Sequence, residues 1–118
     1  MKKVLFIAMV LVGLAFVTSS CTEETTYTIY NSTDYTLYDV FTLEYDGSSN
    51  PVGQSNVGSI GVGSTSSAVT AVSSAENVEV VFRFDPSGDR YVTVLKYPLT
   101  KGGNTTITLT NQTQVMYY

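Results

Sequence analysis

The sequence predicts an all-β protein, a single antiparallel β-sandwich of about seven strands, with immunoglobulin-like and transthyretin-like connectivity both open. Serine and threonine supply 27 of the 97 residues that follow Cys21, and tyrosine supplies nine. β-Branched and aromatic residues suit a pleated, half-buried surface, whereas the good helix formers leucine, alanine and lysine are scarce. Short alternating segments, separated by turn residues every eight to twelve positions, complete the pattern.

The first two strands are predicted from their alternation. Residues 25–30 alternate threonine with apolar side chains, and residues 31–34 then supply turn chemistry. Residues 35–45 follow as a long strand that Asp39 interrupts, so we expect a β-bulge near Asp39 that shifts the phase. The apolar face of this strand consists of Tyr35, Leu37, Phe41, Leu43 and Tyr45.

The middle of the chain is the least regular part. Residues 46–51 form a loop by composition. Residues 52–67 contain four glycines among serines, and Val57 and Ile60 permit one short strand there. From Ser67 to Ala75 the pattern fits either a helical face or a strand, and the β-branched content favours strand.

A β-hairpin is predicted from residues 78–85 and 91–97, which both alternate. The connection at 85–89 places Pro86 at the first corner of a type I turn, where its φ is preset. Gly88 is expected in the left-handed conformation that closes a bulged hairpin.

The C-terminal part is predicted to turn once and continue in strands. Pro98 ends the preceding strand, and residues 101–104 turn the chain. Residues 105–110 form the next strand, and residues 115–118 either add an edge strand or fray.

The first twenty residues are typical of a secretory signal. Residues 1–3 are a short basic start, residues 4–17 are apolar or glycine, and residues 18–20 are small and polar. The fourteen-residue apolar stretch is shorter than the ~20 residues that cross a bilayer as a helix. We therefore expect a signal peptide over residues 1–20.

Cys21 is the only cysteine of the chain and follows the small residues directly. An isolated cysteine in an exported protein needs a use. The arrangement resembles the lipobox of bacterial lipoproteins, which implies that Cys21 is acylated and anchors the protein to a membrane. Thr18 stands where leucine is usual in that family, so ordinary cleavage after Ser20 is the alternative.

The acidic residues after Cys21 add a second resemblance. Residues 21–24 (Cys-Thr-Glu-Glu) resemble the tetrad that directs many lipoproteins of the Bacteroidota to the outer face of the outer membrane. The resemblance implies that Glu23 and Glu24 act as an export signal, whereas a solvated acidic tether explains them equally. The expected organisation is a signal peptide at 1–20, lipidated cysteine and tether at 21–26, and a β-sandwich at 27–118.

Charge and composition exclude several function classes. After Cys21, four basic residues oppose ten acidic ones, so the net charge is −6 and nucleic acid is not an expected partner. The chain has no histidine, no zinc ligand set and no glycine-flanked nucleophilic serine, so we expect no enzyme and no cofactor. Asp85 and Asp89 are the weak candidates for a carboxylate pair and, with Ser87, for a calcium site, but turn chemistry explains these residues without a metal.

The nine tyrosines are the remaining feature. Most are expected in or beside the core, but Tyr30 and Tyr38 are out of phase with their apolar neighbours. We therefore expect them to be more exposed than Tyr35 or Tyr91 and to mark a possible binding surface.

Two function classes follow from these observations. The first is a lipid-anchored, surface-exposed outer-membrane protein that acts as a non-catalytic structural or interaction module of a surface assembly, with an envelope protein as partner. The second is a small surface domain that binds a glycan or a peptide. Clustered exposed aromatic residues favour the binding domain, and an exposed edge strand favours assembly by strand addition.

Overall fold

The computed structural model describes residues 24–118, which form nine β-strands and no helix. The strands are β1 (Thr26–Ser32), β2 (Leu37–Tyr45), β3 (Gly53–Ile60), β4 (Val69–Thr70), β5 (Asn77–Arg83), β6 (Tyr91–Thr93), β7 (Tyr97–Pro98), β8 (Asn104–Thr110) and β9 (Val115–Tyr117). The all-β prediction is confirmed, with two more strands than expected because several are only two or three residues long. Among these residues no helix is long and apolar enough to cross a membrane.

The strands form two sheets. The larger sheet has the order β9, β6, β5, β2, β3, and β7 also pairs with β5. The smaller sheet has the order β4, β1, β8. Every pair is antiparallel except β1 and β8, which run parallel with Ile29 opposite Ile107. The sandwich is therefore not purely antiparallel, and both strands of this parallel pair begin at the same end of the molecule.

The core lies between the two sheets. Tyr27 and Ile29 of β1 face it from the smaller sheet, as the alternation of residues 25–30 predicted, and Ile107 and Leu109 of β8 lie beside them. The buried apolar residues of this inter-sheet core are Tyr27, Ile29, Leu37, Val40, Ile60, Ala71, Ala75, Val78, Val80, Phe82, Ile107 and Leu109. Burial of these side chains is the main favourable contribution to folding.

The predicted bulge in β2 is confirmed. Asp39 has a φ of +50°, and the register of β2 shifts between Tyr38 and Phe41. The extra residue turns Phe41 to the outer surface of the large sheet, whereas Leu37 belongs to the inter-sheet core. The single apolar face predicted for residues 35–45 is therefore divided between two faces.

An apolar cluster covers the outer surface of the large sheet. It contains Phe41, Leu43, Tyr45, Val81 and Val92, all buried. The Arg90 guanidinium lies 5.7 Å from the centre of the Phe41 ring, and the Lys96 ammonium lies 3.8 Å from that of Tyr45. Two of the scarce basic side chains therefore cover this cluster.

The predicted hairpin is present, but its glycine does not have the predicted conformation. The Gly88 amide donates a 2.9 Å hydrogen bond to the Asp85 carbonyl oxygen, so Gly88 is the fourth residue of the turn. That position needs no positive φ, and Gly88 has none; the glycines at positive φ are Gly47, Gly58, Gly63 and Gly102. The expectation for Gly88 was wrong because its place within the turn was misassigned.

The second hairpin strand is shorter than predicted. β6 ends at Thr93, whose hydroxyl accepts a hydrogen bond from the Val80 amide and donates one to the Leu95 carbonyl oxygen. The Thr93 hydroxyl thus replaces a backbone hydrogen bond between β5 and β6. The chain bends there and pairs with β5 again only in β7.

The middle of the chain also differs from prediction. β3 spans eight residues, although the glycine-rich sequence permitted only a short strand. Between Ser67 and Ala75 only the two residues of β4 form a strand, and none of these nine is helical. The loop at 46–51 and the strands at 105–110 and 115–117 agree with expectation.

Candidate functional site: an aromatic cleft between the sheet ends

A cleft of about 380 Å³ opens between the two sheets where the chain crosses from β8 to β9. Its volume lies within the range of small-ligand sites. The loop after β1, the end of β5 and the 111–114 connection surround it. The lining side chains are Thr33, Asp34, Tyr35, Phe82, Phe84, Leu109, Thr110, Asn111, Thr113 and Val115.

Five aromatic rings form one continuous series beside this opening. They are Tyr35, Phe82, Phe84, Tyr91 and Tyr117. The name aromatic cleft is used below for these five rings together with the cavity. The Tyr35 and Phe84 rings meet edge to face, with centroids 5.6 Å apart and planes at 71°. Phe84 also lies 5.1 Å from Phe82 and 5.5 Å from Tyr91, which stacks on Tyr117 at 5.3 Å.

The rings change from buried to exposed along the series. Phe82 is 3% exposed and anchors the series in the core. Phe84 is 40% exposed, Tyr35 is 60% and Tyr117 is 73%. Solvent-facing aromatic surface on a buried base is typical of a binding site.

A buried asparagine holds the loop that presents Tyr35. The Asn31 amide nitrogen donates to the carbonyl oxygens of Tyr35 and Ile60 at 2.8 and 2.9 Å. Its side-chain oxygen accepts hydrogen bonds from the amide and the hydroxyl of Thr33. Asn31 therefore links the turn after β1 to the end of β3 and fixes the backbone beside Tyr35.

A second hydrogen-bonded pair joins the two loops at the rim. The Asp34 amide donates to the Asn111 side-chain oxygen at 3.0 Å, and the Asn111 amide nitrogen donates to the Asp34 carboxylate at 2.9 Å. The rim is thus held in place before any ligand arrives, which lowers the entropic cost of binding.

The side chains around the aromatic cleft carry negative charge. Asp34 lines the opening, and Asp89 lies close to Tyr91. Burial raises the pKa of Tyr91, and the neighbouring Tyr117 and the Asp89 carboxylate add to this rise. Hydrogen bonds from the Ser87 amide and hydroxyl lower the pKa of Asp85.

The structure does not bring together Tyr30 and Tyr38, the pair chosen from the sequence. Tyr30 lies on the outer side of the smaller sheet, and Tyr38 lies opposite Arg83 in the larger sheet. Both are half-buried, whereas Tyr35 is the more exposed residue, so the predicted order of exposure was wrong. Alternation misplaced Tyr35 because residues 33–36 form a loop, in which strand phase does not apply.

The other candidate residues have simpler surroundings. The Asp85 carboxylate accepts hydrogen bonds from the Ser87 amide and hydroxyl at 3.0 and 3.1 Å, as in an Asx turn. Within residues 24–118 no three carboxylate, histidine or cysteine side chains are grouped to hold a metal ion. Cys21 and Glu23 lie outside the described residues, and Glu24 is exposed at their beginning.

The aromatic cleft and Glu24 lie at opposite ends of the sandwich. β1 and β8 run parallel, and a second cavity beside their first residues is lined by Glu24, Lys101 and Gly102. The aromatic cleft adjoins their last residues. A seven-residue strand spans about 20 Å, so this length of sheet separates the cleft from Glu24.

A buried carboxylate outside the cleft was not anticipated. Glu44 is fully buried between the sheets, and its side chain accepts hydrogen bonds from the Tyr27 hydroxyl, the Ser55 hydroxyl and the Val72 amide. Burial raises the pKa of Tyr27, and the Glu44 hydrogen bond raises it further. Glu44 thus joins four segments of the fold.

Comparisons with known proteins add information on the fold. No protein-family model matches the sequence, and no curated protein matches it. The chain is similar to a protein from Eubacterium rectale whose structure was solved by NMR, with a TM-score of 0.56 and 15% identity. The similarity covers 81% of this chain and 87% of that chain. At this identity the similarity concerns the fold alone.

Proposed function

We propose that this chain is a lipid-anchored protein of the bacterial outer membrane whose sandwich works as a non-catalytic binding module. The observation that carries this proposal is the aromatic cleft, in which exposed rings rest on a buried base behind a hydrogen-bonded rim. Clustered exposed aromatic residues are the feature that we expected of a glycan- or peptide-binding domain. The cleft therefore supports binding of a glycan or a peptide more than it supports assembly.

The position of the cleft supports a role at the cell surface. If Cys21 carries the lipid, the tether attaches beside Glu24, at the end of the sandwich away from the cleft. The cleft then faces away from the membrane, toward ligands in the surrounding medium. The acidic tetrad at 21–24 supports export to the outer face.

We assign the domain no catalytic step. The buried carboxylate of Glu44 already accepts three hydrogen bonds and lies outside the cleft. Asp34, which does line the cleft, is held by Asn111 at an exposed rim. Neither Glu44, outside the cleft, nor Asp34, held at its rim, is a free carboxyl group in a substrate-binding site, as general acid catalysis requires.

Binding to glycan and peptide arrays tests the proposal. The wild-type protein is expected to give a saturable signal that Tyr35→Ala removes, while the unfolding midpoint changes little because the ring is 60% exposed. Tyr38→Ala is the matched control, since Tyr38 lies outside the cleft. Equal loss of binding in both variants contradicts the assignment of the cleft.

A second candidate function, strand addition within a surface assembly, is favoured by the edge of β8. The Thr26 amide donates to the Gly103 carbonyl oxygen, so the odd-numbered residues of β8 bond to β1. Thr106 and Thr108 then direct their amides away from β1, where no other described strand pairs. Natural edge strands usually contain charges, prolines or bulges, and β8 has none of these.

Crosslinking and affinity purification from native envelopes test this second candidate. A co-purifying envelope protein that is lost in Thr108→Pro supports strand addition, because proline removes the outward amide and spares the pairing with β1. Loss of the same protein in Tyr35→Ala but not in Thr108→Pro assigns the contact to the aromatic cleft.

A further inference from the structure

We propose that the aromatic cleft binds an organic cation, namely the ammonium or guanidinium group of a lysine or arginine side chain on a partner peptide. This inference rests on the proposed binding function and specifies its ligand. It derives from the geometry of the rings, from the charge around them and from the placement of the protein's own basic residues.

The ring geometry fits a cation. Tyr35 and Phe84 stand at 71° to each other, so they form the corner of an open box. Tyr91 and Tyr117, stacked with planes that differ by 28°, continue the series of rings outside the lining of the cavity. Aromatic faces arranged around a small space attract cations through the ring quadrupole, and they recognise substituted ammonium groups in this way.

The charge around the box has the complementary sign. Asp34 lines the opening, and Asp89 is near enough to Tyr91 to raise its pKa. These carboxylates attract a cation and repel phosphate, sulfate or acidic sugars. A neutral glycan gains nothing from them beyond hydrogen bonds.

The protein's own cations are held elsewhere. Arg83 and Arg90 flank the aromatic residues in sequence but lie on the outer side of the large sheet, because strand alternation turns neighbouring side chains to opposite faces. Arg83 pairs with Asp39 at 3.0 Å, and Arg90 covers Phe41. The other two basic residues of the described chain, Lys96 and Lys101, contact the Tyr45 ring and the Ser73 carbonyl oxygen. No basic side chain among residues 24–118 therefore occupies the box.

The rings of the outer sheet surface show the same interaction within this molecule. Lys96 lies 3.8 Å from the centre of the Tyr45 ring, and Glu79 accepts a hydrogen bond from the Tyr45 hydroxyl at 2.6 Å. A cation, an aromatic face and a nearby carboxylate are thus combined there. The aromatic cleft has the rings and the carboxylates, and a ligand would supply the cation.

The position of the cleft favours a peptide over a lipid headgroup as the source of the cation. The cleft adjoins the C-terminal ends of β1 and β8, whereas the tether precedes the N-terminal end of β1. A choline-type headgroup in the anchoring membrane is therefore remote from it. A basic segment of another protein can approach freely.

Isothermal titration calorimetry, with NMR shift mapping, tests this inference on the protein purified in detergent. The probes are acetylated, amidated pentapeptides with glycine at four positions and arginine, lysine or glutamine at the centre, together with phosphocholine and a neutral oligosaccharide. We expect the arginine and lysine peptides to bind and to shift the resonances of Tyr35 and Phe84, and their affinity to fall as salt increases. The glutamine peptide is expected not to bind.

Variants of the cleft complete the test. Tyr35→Leu keeps an apolar side chain but removes the ring. It is expected to lower the affinity for the arginine peptide by about tenfold. Asp34→Asn is expected to weaken binding and to reduce its salt dependence, and Tyr38→Leu to leave both unchanged. If a variant fails to fold, the salt dependence and the glutamine peptide still decide the question with the wild-type protein.

Each other outcome overturns part of the argument. If the glutamine and arginine peptides bind equally, or if the neutral oligosaccharide binds preferentially in the cleft, the ligand is not recognised as a cation. The proposed binding function is then retained. If phosphocholine binds preferentially, the cleft recognises a cation, but the claim that a peptide carries that cation is refuted. A cleft that binds none of these probes, and gives no signal on the arrays, overturns the inference and the proposed function together.

Discussion

The Tyr27 hydroxyl donates a 2.6 Å hydrogen bond to the Glu44 carboxylate, and this bond joins the smaller sheet to the larger one. Both side chains are completely buried. The same carboxylate accepts a hydrogen bond from the Val72 amide at 2.9 Å, which fixes the segment after β4. A buried carboxylate without a basic partner depends on every one of these donors, because an unpaired charge in the interior is strongly unfavourable.

Tyr27→Phe is expected to lower the free energy of unfolding by about 1–3 kcal/mol. The substitution retains the ring and removes one donor from the buried carboxylate. Chemical denaturation at neutral pH measures the change, and Tyr30→Phe, on the outer side of the same strand, is the control. Equal stabilities of Tyr27→Phe and the wild type would show that the bond contributes nothing.

Stability is expected to fall as the pH rises above 10. Burial, followed by the Glu44 hydrogen bond, raises the pKa of Tyr27 above its ordinary value of 10.0. Burial, with the Glu79 hydrogen bond, raises the pKa of Tyr45 to about 12. Above pH 10 the unfolded chain loses these protons while the folded chain keeps them, so the unfolded state binds fewer protons and stability decreases with pH.

Denaturation between pH 8 and 11.5 measures this decrease. Tyr27 alone is expected to contribute a slope of about 1.4 kcal/mol per pH unit once the unfolded tyrosine is deprotonated. Tyr27→Phe should show a correspondingly shallower slope. A variant whose slope equals that of the wild type would contradict the assignment to Tyr27.

Gly53→Ala is expected to destabilise the protein by about 1–3 kcal/mol through overpacking. A Cβ atom at Gly53 would lie 2.9 Å from the Glu44 carboxylate and 2.9 Å from a Val72 methyl group. Gly61→Ala is the matched control, because its Cβ would meet only the Ser64 hydroxyl at 3.6 Å. Thermal unfolding compares the two, and the prediction fails if both variants melt together.

Asp39→Val is expected to be less stable than Asp39→Asn by about 1–2 kcal/mol. Both variants lose the ion pair with Arg83, which is exposed and contributes little. They differ at the φ of +50°, which asparagine tolerates and a β-branched residue does not. Identical melting temperatures would show that the bulge relaxes without strain.

If Cys21 carries the lipid, Cys21→Ser is expected to move the protein from the membrane fraction to the soluble or unprocessed pool. A net charge of −6 after Cys21 provides no basic surface to hold the domain on anionic lipid once the acyl chains are lost. Fractionation and labelling with a fatty-acid analogue measure the change. Mass spectrometry that finds unmodified Cys21 at the mature N-terminus would refute lipidation.

Local patterns were reliable where one side of a strand faces the core. The alternation of Tyr27 and Ile29, and that of Ile107 and Leu109, predicted buried faces that the structure contains. The interruption at Asp39 predicted a bulge in the same way, because a polar residue out of phase requires a shift. These features depend on neighbours along the chain.

The aromatic cleft was not predictable by the same means. Tyr35, Phe84 and Tyr117 come from the loop after β1, the end of β5 and the last strand, and only the folded chain places their rings together. Strand phase also misled the choice of Tyr30 and Tyr38, because β1 and β2, although consecutive in the chain, lie in different sheets. Nearness in sequence therefore implied no common surface.

By itself, the sequence determined that the chain is all-β, that its charge is acidic, and which residues resemble a lipoprotein leader, because composition and two-residue periodicity are local properties. The tertiary structure alone decided that β1 and β8 run parallel, that Glu44 is buried beside Tyr27, and that five rings form a series beside a cleft. Each of these depends on pairing between segments far apart in the chain. Many pairings are compatible with the same alternation, and close packing of the two sheets selects among them.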